Sequence, residues 1–149
     1  RKVIADTVNG GVALTTFVGH SGPSSWTFDG LFTAADAAAL HNDGVPTVVN
    51  QWGCWNTYHV DPVYDTMSHV LLLQSGGGAA AVMGAATITS AASDARIAPL
   101  LQELAVQPGT PVGLAMVEAK RRLAETRPGL DEVYLGFTLL GDPGLVVSP

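Results

Sequence analysis

The fold is decided by residues 46–54, PTVVNQWGC, which read as a short β-strand that ends in a tight turn. A nearly continuous run of β-prone residues is typical of a strand whose two faces are both covered. Two other runs have the same character: residues 12–18, VALTTFV, and residues 78–84, GAAAVMG. The sequence therefore predicts three strands in one covered, mostly parallel sheet.

Helix-forming segments separate these strands, as parallel strands require. The first, residues 33–42, is rich in alanine, with Thr33 as N-cap and Asp36 at the third helical position. The second is expected to start with Asp61 as N-cap and Pro62 as its first residue. Its apolar positions, spaced for one helical face, are Val63, Met67, Val70 and Leu71.

Two further helices and a closing strand complete the pattern. The helices lie around residues 97–104 and 110–127, and one or two strands are expected within residues 134–147. This order of strands and helices, with short links, favours right-handed crossovers and an α/β fold. Residues 1–149 are interpreted as one α/β domain without internal repeats or linkers.

The composition excludes several classes of protein. The 149 residues include 7 basic and 13 acidic side chains, a net charge of −6, with no basic cluster suited to nucleic acid. One cysteine excludes a disulfide framework and a cysteine-rich zinc site. No stretch suits a membrane span, and no motif calls for a cofactor or a metal. Charged residues make up only 13% of the chain, which implies that much of it is buried, in its own core or against a partner.

Two reactive side chains follow the ends of neighbouring predicted strands. His20 follows the strand at residues 12–18, and Cys54 follows the strand at residues 46–52. Because adjacent strands lie about 5 Å apart and sites form beyond their carboxyl ends, an imidazole and a thiol are expected to face one space. Such a pair suits a cysteine hydrolase, in which the histidine deprotonates the thiol and later protonates the leaving group. The alternatives are an inert core thiol and a loop histidine.

The residues around this pair resemble the gingipain-like cysteine peptidases, family C25 of the caspase-like clan. Residues 19–26, GHSGPSSW, are similar to that family's histidine loop, and residues 46–56, PTVVNQWGCWN, to its nucleophile strand and turn. Residues 31–40, residues 71–82 and the GDP triplet at residues 141–143 resemble later parts of the family in the same order. The resemblance runs from about residue 10 to residue 147 and implies a three-layer caspase-like fold.

The resemblance also implies roles for individual residues. Cys54 becomes the nucleophile and His20 the general acid/base of a cysteine endopeptidase that works through a thioester acyl-enzyme. The N–H groups of Cys54 and of the residue after the histidine would bind the oxyanion. The family's usual glycine at that position is Ser21 in this chain, with Gly22 one place later, so both are candidate donors. The candidate substrate-binding residues are Trp26, Trp55, Thr87, Thr89 and Ser90.

Other interpretations remain open at the level of sequence. A CHAT-like or separase-like protease has the same order of histidine and cysteine, and a non-catalytic interaction or scaffold domain can retain the fold. Residues 84–90 offer hydroxyls and small side chains but no acid to select a substrate residue. Asp61, Asp65 and Asp94 are candidate acids, although helix capping explains Asp61 and Asp94 better.

The chain is expected to be a fragment whose domain is incomplete on its N-terminal side. The strand at residues 12–18 is apolar on both faces, yet no earlier strand is present to pair with its free edge. The expected partners are a polypeptide substrate and the missing N-terminal part of the domain, without nucleic acid. The family resemblance further implies an extracellular or cell-surface location.

Overall fold

The computed structural model describes residues 1–60, 63 and 65–147. These residues form helices and short strands, and none of the described helices has the length and apolar character needed to cross a membrane. In chain order the elements are α1 (Lys2–Asn9), β1 (Leu14–Val18), β2 (Ser21–Gly22), β3 (Ser25–Trp26), β4 (Phe32–Thr33), α2 (Ala34–Ala38), β5 (Thr47–Trp52), α3 (Met67–Leu73), β6 (Ala79–Ala85), α4 (Ala91–Ala105), α5 (Val112–Thr126), α6 (Asp131–Tyr134) and β7 (Phe137–Gly141).

The main sheet contains four of these strands in the order β1-β5-β6-β7. β1 is parallel to β5 and β5 to β6, whereas β7 is antiparallel to β6. The predicted strands at residues 46–52 and 78–84 differ from β5 and β6 by one residue at their ends. The α/β prediction and the mostly parallel sheet are therefore confirmed.

Helices pack on both faces of the main sheet and give the domain its three layers. One core, on the side of α1, α2 and α3, includes Val49 and Met67. The other core, on the side of α4 and α5, includes Val48, Trp52 and Ile97. Successive residues of a strand point to opposite faces, so β5 supplies side chains to both cores in turn. This double coverage explains why residues 47–52 are all buried.

The N-terminus of α2 confirms a predicted cap. The Thr33 hydroxyl accepts a hydrogen bond from the Asp36 N–H, and the Asp36 carboxylate accepts one from the Thr33 N–H. This reciprocal pair satisfies two donors that the first helical turn would otherwise leave open. The helix ends at Ala38 rather than near residue 42, so it is shorter than predicted.

The start of α3 differs from its prediction. The helix begins at Met67, and Thr66 rather than Asp61 is its N-cap, with the Thr66 hydroxyl accepting the His69 N–H. Asp61 and Pro62 lie outside the described residues. Val63 precedes the helix and its side chain is exposed, so its assignment to the buried helical face is wrong. The apolar spacing therefore predicts a helix that begins about one turn before the observed start at Met67.

β1 is an edge strand among the described residues, and it is less covered than its sequence predicts. Phe17 is buried, but Thr16 and Val18 are exposed, so the expectation of burial on both faces is wrong here. The reason is that α4 packs against β5, and no described helix closes over the exposed side of β1. Beside the free edge lies a groove of about 310 Å³ whose lining includes Val3, Ile4 and Leu31.

A second, antiparallel sheet of β2, β3 and β4 carries the segment after β1. The sequence did not predict it, because strands of two residues leave no periodic pattern. Trp26 in β3 stacks on Phe17, with ring centroids 4.7 Å apart. Its indole N–H donates a hydrogen bond of 2.6 Å to the Gln51 side chain of β5. These contacts fasten the small sheet to the main one.

Candidate active site

The parallel pairing of β1 with β5 brings His20 and Cys54 to the same end of the sheet. Val18 and Trp52 are paired in register, and each of the two reactive residues follows its strand by two positions. Both residues line one cavity of about 260 Å³ that opens between these strand ends and α4. The His20 side chain is exposed and Cys54 is half-buried, so both are accessible from solvent.

The two loops that carry this pair are in direct backbone contact. The Gly19 N–H donates a hydrogen bond of 2.9 Å to the Trp52 carbonyl. A Cβ at Gly53 would lie 2.2 Å from the Gly19 carbonyl oxygen and 2.4 Å from the Ser21 hydroxyl. Real carbon–oxygen contacts are never that short, so residue 53 has to be glycine for the loops to approach in this way. The tight turn predicted before Cys54 thus has a specific steric cause.

Side-chain hydrogen bonds then set the orientation of the cysteine turn. The Ser21 hydroxyl donates to the Cys54 carbonyl at 2.9 Å. From the other side, the buried Asn56 amide donates to the Gly53 carbonyl at 2.9 Å. The Trp55 N–H donates to the Thr87 carbonyl at 2.9 Å, which ties the turn to the segment after β6. Ser21 therefore braces the turn through its side chain.

The backbone geometry separates the two candidate oxyanion donors after the histidine. The Thr27 N–H donates to the His20 carbonyl, which makes Ser21 and Trp26 a non-hydrogen-bonded pair of the antiparallel ladder. In such a pair the N–H points away from the partner strand, so the Ser21 N–H is turned away from β3. The next pair, Gly22 with Ser25, is then the hydrogen-bonded one, and the Gly22 N–H is used within the hairpin. Ser21 is therefore the better donor of the two.

The Cys54 thiol is held toward the segment that follows β6. Its Sγ donates to the Thr89 carbonyl at 3.5 Å. Thr89 also lines the cavity, whereas Trp55, Thr87 and Ser90 are absent from its lining among the described residues. The Ser90 hydroxyl accepts the Ser93 N–H and caps α4. Of the three hydroxyl residues proposed for substrate binding, the structure thus brings one to the cavity.

Trp26 is placed differently from its proposed role. Its side chain is only 3% exposed and belongs to the core on the α1–α3 side. The assignment of Trp26 to the substrate-binding set is therefore corrected: the ring supports the histidine loop from below and is shielded from a substrate. The stacking on Phe17 and the hydrogen bond to Gln51 explain why an aromatic with an N–H suits this position.

Asp94 is the acidic residue of this cavity. It lies in the first turn of α4, lines the cavity with Cys54 and His20, and is only 7% exposed. One carboxylate oxygen accepts a hydrogen bond of 3.0 Å from the Thr89 hydroxyl. The other is buried and has no hydrogen-bond partner among the described residues. The N-cap of α4 is Ser90, so the interpretation of Asp94 as a helix cap is wrong.

The surroundings of Asp94 raise the free energy of its ionised form. Burial raises the pKa of the carboxyl above its usual 3.8, the Thr89 hydroxyl opposes that rise, and the nearby charge of Glu132 adds to it. The neighbouring walls are apolar or small, with Trp52, Ala95 and Ala98 among them. A buried, half-satisfied carboxylate destabilises a fold unless a cation or donor completes it. A cation or a hydrogen-bond donor at the free oxygen would lower the free-energy cost of ionising this carboxyl.

The sequence did contain a signal for Asp94. Four residues after Ser90, it occupies the same helical face as Ile97 and Leu101, both of which are fully buried. An acid on the apolar face of a helix is rarely a cap, because caps lie at the helix end.

The described residues contain no group of three or more His, Cys, Asp or Glu side chains placed to hold a metal ion.

Comparison with known proteins gives one family and one fold. The model of peptidase family C25 matches residues 1–148. Among solved structures, the complex of Porphyromonas gingivalis RgpB pro- and mature domains is similar with a TM-score of 0.84 at 21% identity over 97% of this chain. The Arg-specific cysteine proteinase gingipain R (RgpB) gives 0.83 at 19% identity over 97%. A third structure, described as a protease, gives 0.82 at 16% identity over 95%.

This chain spans about a third of the length of those solved chains, at 36%, 35% and 36% respectively. No curated protein sequence matches it significantly. At identities this low, the likeness to the solved structures concerns the fold, and it agrees with the expected three-layer arrangement of the gingipain type.

Proposed function

Because the chain belongs to peptidase family C25, we propose that it carries the Cys54–His20 centre of a cysteine endopeptidase. The observation that supports this most directly is the cavity at the ends of β1 and β5, whose wall contains both the thiol and the imidazole. A half-buried thiol beside an exposed histidine has the access that a peptide bond needs. An accessible thiol and imidazole on one cavity favour the catalytic interpretation over a scaffold domain without activity.

The proposed reaction follows from the chemistry of the two groups. His20 takes the proton of the Cys54 thiol, and Sγ attacks the carbonyl carbon of the scissile peptide bond. The carbon–nitrogen bond then breaks, and His20 gives its proton to the departing amine. The remaining thioester is hydrolysed by a water whose proton passes to His20. Return of that proton to the sulfur restores the thiol and releases the carboxylic acid product.

The negative oxygen formed in each tetrahedral intermediate needs nearby donors. We assign this role to the N–H groups of Cys54 and Ser21. The Cys54 N–H makes no hydrogen bond within the described part of the chain, and the Ser21 N–H is turned away from its ladder partner. Preorganised backbone donors stabilise such an oxyanion without reorganisation during the reaction.

The cavity also supports a preference for the substrate residue before the scissile bond, P1. Asp94 offers an unpaired carboxylate oxygen, while Trp52, Ala95 and Ala98 offer apolar surface. A lysine or arginine side chain matches both features, because an aliphatic stem carries a cation at its end. We therefore propose a basic P1 residue. The similar gingipain R is itself described as Arg specific.

His20→Ala is expected to lower the rate of peptide hydrolysis by at least about 100-fold, because the variant loses the group that moves protons in both halves of the reaction. The measurement is kcat/KM with a fluorogenic peptide that has arginine or lysine at P1. His41→Ala is the matched control, since His41 is exposed and its ring contacts Asn9, away from the cavity. Normal turnover by His20→Ala would refute the assignment of this histidine.

We also propose a partner segment for the free edge of β1. Within the described residues β1 is hydrogen-bonded only to β5, so its opposite edge is unpaired. The side chain of Val18, at the end of β1, is exposed. The adjoining groove between α1 and β1 is lined mainly by apolar side chains. An exposed strand edge beside apolar surface is a template for pairing with another strand. The proposed occupant is the N-terminal part of the same catalytic domain, in an extracellular or cell-surface protein.

The 149 residues expressed alone are therefore expected to self-associate and to cleave peptides poorly. Size-exclusion chromatography and turnover of a fluorogenic peptide panel measure the two properties. Co-expression with the rest of the protein is the control and should restore a defined species with higher turnover. A well-behaved monomer with robust turnover would contradict the proposed partner segment.

A further inference from the structure

Phe28 is an exposed aromatic residue in direct contact with the imidazole of the candidate centre. Its side chain is 86% exposed. Its ring lies 5.5 Å from the His20 ring between centroids, with the planes 23° apart. Isolated exposed apolar residues are common on protein surfaces, but one stacked on the candidate acid/base has a specific location. Neither the sequence pattern nor the proposed cavity accounts for this ring.

The turn that carries Phe28 is anchored at both ends. The Thr27 N–H donates to the His20 carbonyl at 2.8 Å, and the Gly30 N–H donates to the Thr27 carbonyl at 3.2 Å. Thr27 has a φ of 59°, a conformation that costs free energy for a β-branched residue. The Arg1 guanidinium further donates to the Gly30 carbonyl at 2.7 Å. The ring is therefore presented by a constrained turn whose position is tied to His20.

The location of Phe28 relative to the cavity decides which part of a substrate it meets. Phe28 does not belong to the lining of the cavity that holds Cys54 and Asp94, so its contact lies outside the P1 pocket. The imidazole of a cysteine peptidase must reach the nitrogen of the leaving group, which belongs to the residue after the scissile bond, P1′. A ring stacked on that imidazole is therefore adjacent to the P1′ side chain.

We propose that Phe28 forms an apolar subsite for the P1′ residue of the substrate and that it favours large aliphatic or aromatic side chains there. This inference rests on the proposed function of Cys54 and His20. Binding would cover an apolar ring that water otherwise surrounds, and burial of apolar surface favours association. The constrained turn lowers the entropic cost of that contact, because the ring is already held in position.

The test uses two peptides that share an arginine at P1 and differ at P1′, with leucine in one and glycine in the other. For the protein with Phe28→Ala, kcat/KM on the leucine peptide should fall about tenfold, mainly through KM, and on the glycine peptide by less than about twofold. Phe28→Tyr keeps the ring and should keep the preference. Val117→Ala, which shortens an exposed apolar side chain on α5, is the control and should change neither value.

The outcomes separate this inference from the proposed function. An equal loss on both peptides would overturn the P1′ subsite, because it would mean that Phe28 acts through His20 alone. An unchanged preference in Phe28→Ala would overturn it as well. If the unmodified chain, co-expressed with the rest of the protein, cleaves neither peptide, the proposed function fails and the inference fails with it. A selective loss on the leucine peptide, retained by Phe28→Tyr, supports the subsite.

Discussion

Cys54→Ala is expected to abolish peptide hydrolysis while changing the free energy of unfolding by less than about 1 kcal/mol. Activity is lost because the other described residues that line the cavity offer no thiol to form the thioester. The fold survives because the thiol is half-buried in a turn, and that turn is held mainly by other groups, the Ser21 hydroxyl and the Asn56 amide among them. The measurements are turnover of a fluorogenic peptide and denaturant unfolding of both proteins.

The single cysteine provides a sharp control for this experiment. Cys54 is the only thiol of the chain. Any labelling of the chain by a peptide-based thiol-reactive probe is therefore labelling of Cys54. Labelling and inactivation should proceed together in the unmodified protein and should both be absent in Cys54→Ala. Undiminished hydrolysis by Cys54→Ala would refute the nucleophile assignment and favour a non-catalytic role for this cavity.

Asp94→Asn is expected to lower kcat/KM for peptides with a basic P1 residue by about a hundredfold. Removing one partner of a buried, hydrogen-bonded charge pair costs about 3 kcal/mol, which corresponds to that factor. Peptides with an uncharged P1 residue should be affected far less, because they make no ion pair with the carboxylate. The measurement compares kcat/KM for arginine, lysine and norleucine at P1. Asp43→Asn, which removes an equal charge from an exposed site, is the control.

The same substitution should leave the fold at least as stable as before. Burial raises the pKa of Asp94 above 3.8, so the folded protein holds this proton more tightly than the unfolded chain. Stability therefore falls as pH rises through the interval between the ordinary and the raised pKa. Asp94→Asn has no carboxyl to ionise at this position, so its stability does not fall in this way. The unfolding free energy of the variant minus that of the unmodified protein should therefore be larger at about pH 7 than at about pH 4. A variant that is destabilised at neutral pH and retains the basic preference would contradict the proposed role.

The sequence predicts those parts of the structure that depend on residues close together in the chain. β5 follows from a run that begins with three β-branched residues, β6 from a run of mainly small residues, and the α2 cap from Thr33 and Asp36. The meeting of His20 with Cys54 also follows, because short crossovers make neighbouring parallel strands end at one edge. Each of these conclusions needs only a few consecutive residues and the geometry of a parallel sheet.

The rest depends on contacts between distant segments. Trp26 is buried because Phe17 and Gln51, on two different strands, form the surface beneath it. Asp94 reaches the cavity because α4 crosses the end of β5, and a helical pattern alone does not show what its first turn faces. The two-residue strands β2, β3 and β4 are defined by their pairing rather than by their composition.

The close approach of Gly53 to Gly19 also bears on how such a centre can diversify. With carbonyl oxygen and α-carbon packed against each other, neither loop can be lengthened, shortened or tilted without displacing the other. Residues 19–21 and 53–56 are therefore mechanically coupled, and a change in the backbone of one segment is expected to shift the other. Phe28 and Asp94 lie outside these two segments, so substitutions at either position are expected to leave the relative placement of His20 and Cys54 unchanged.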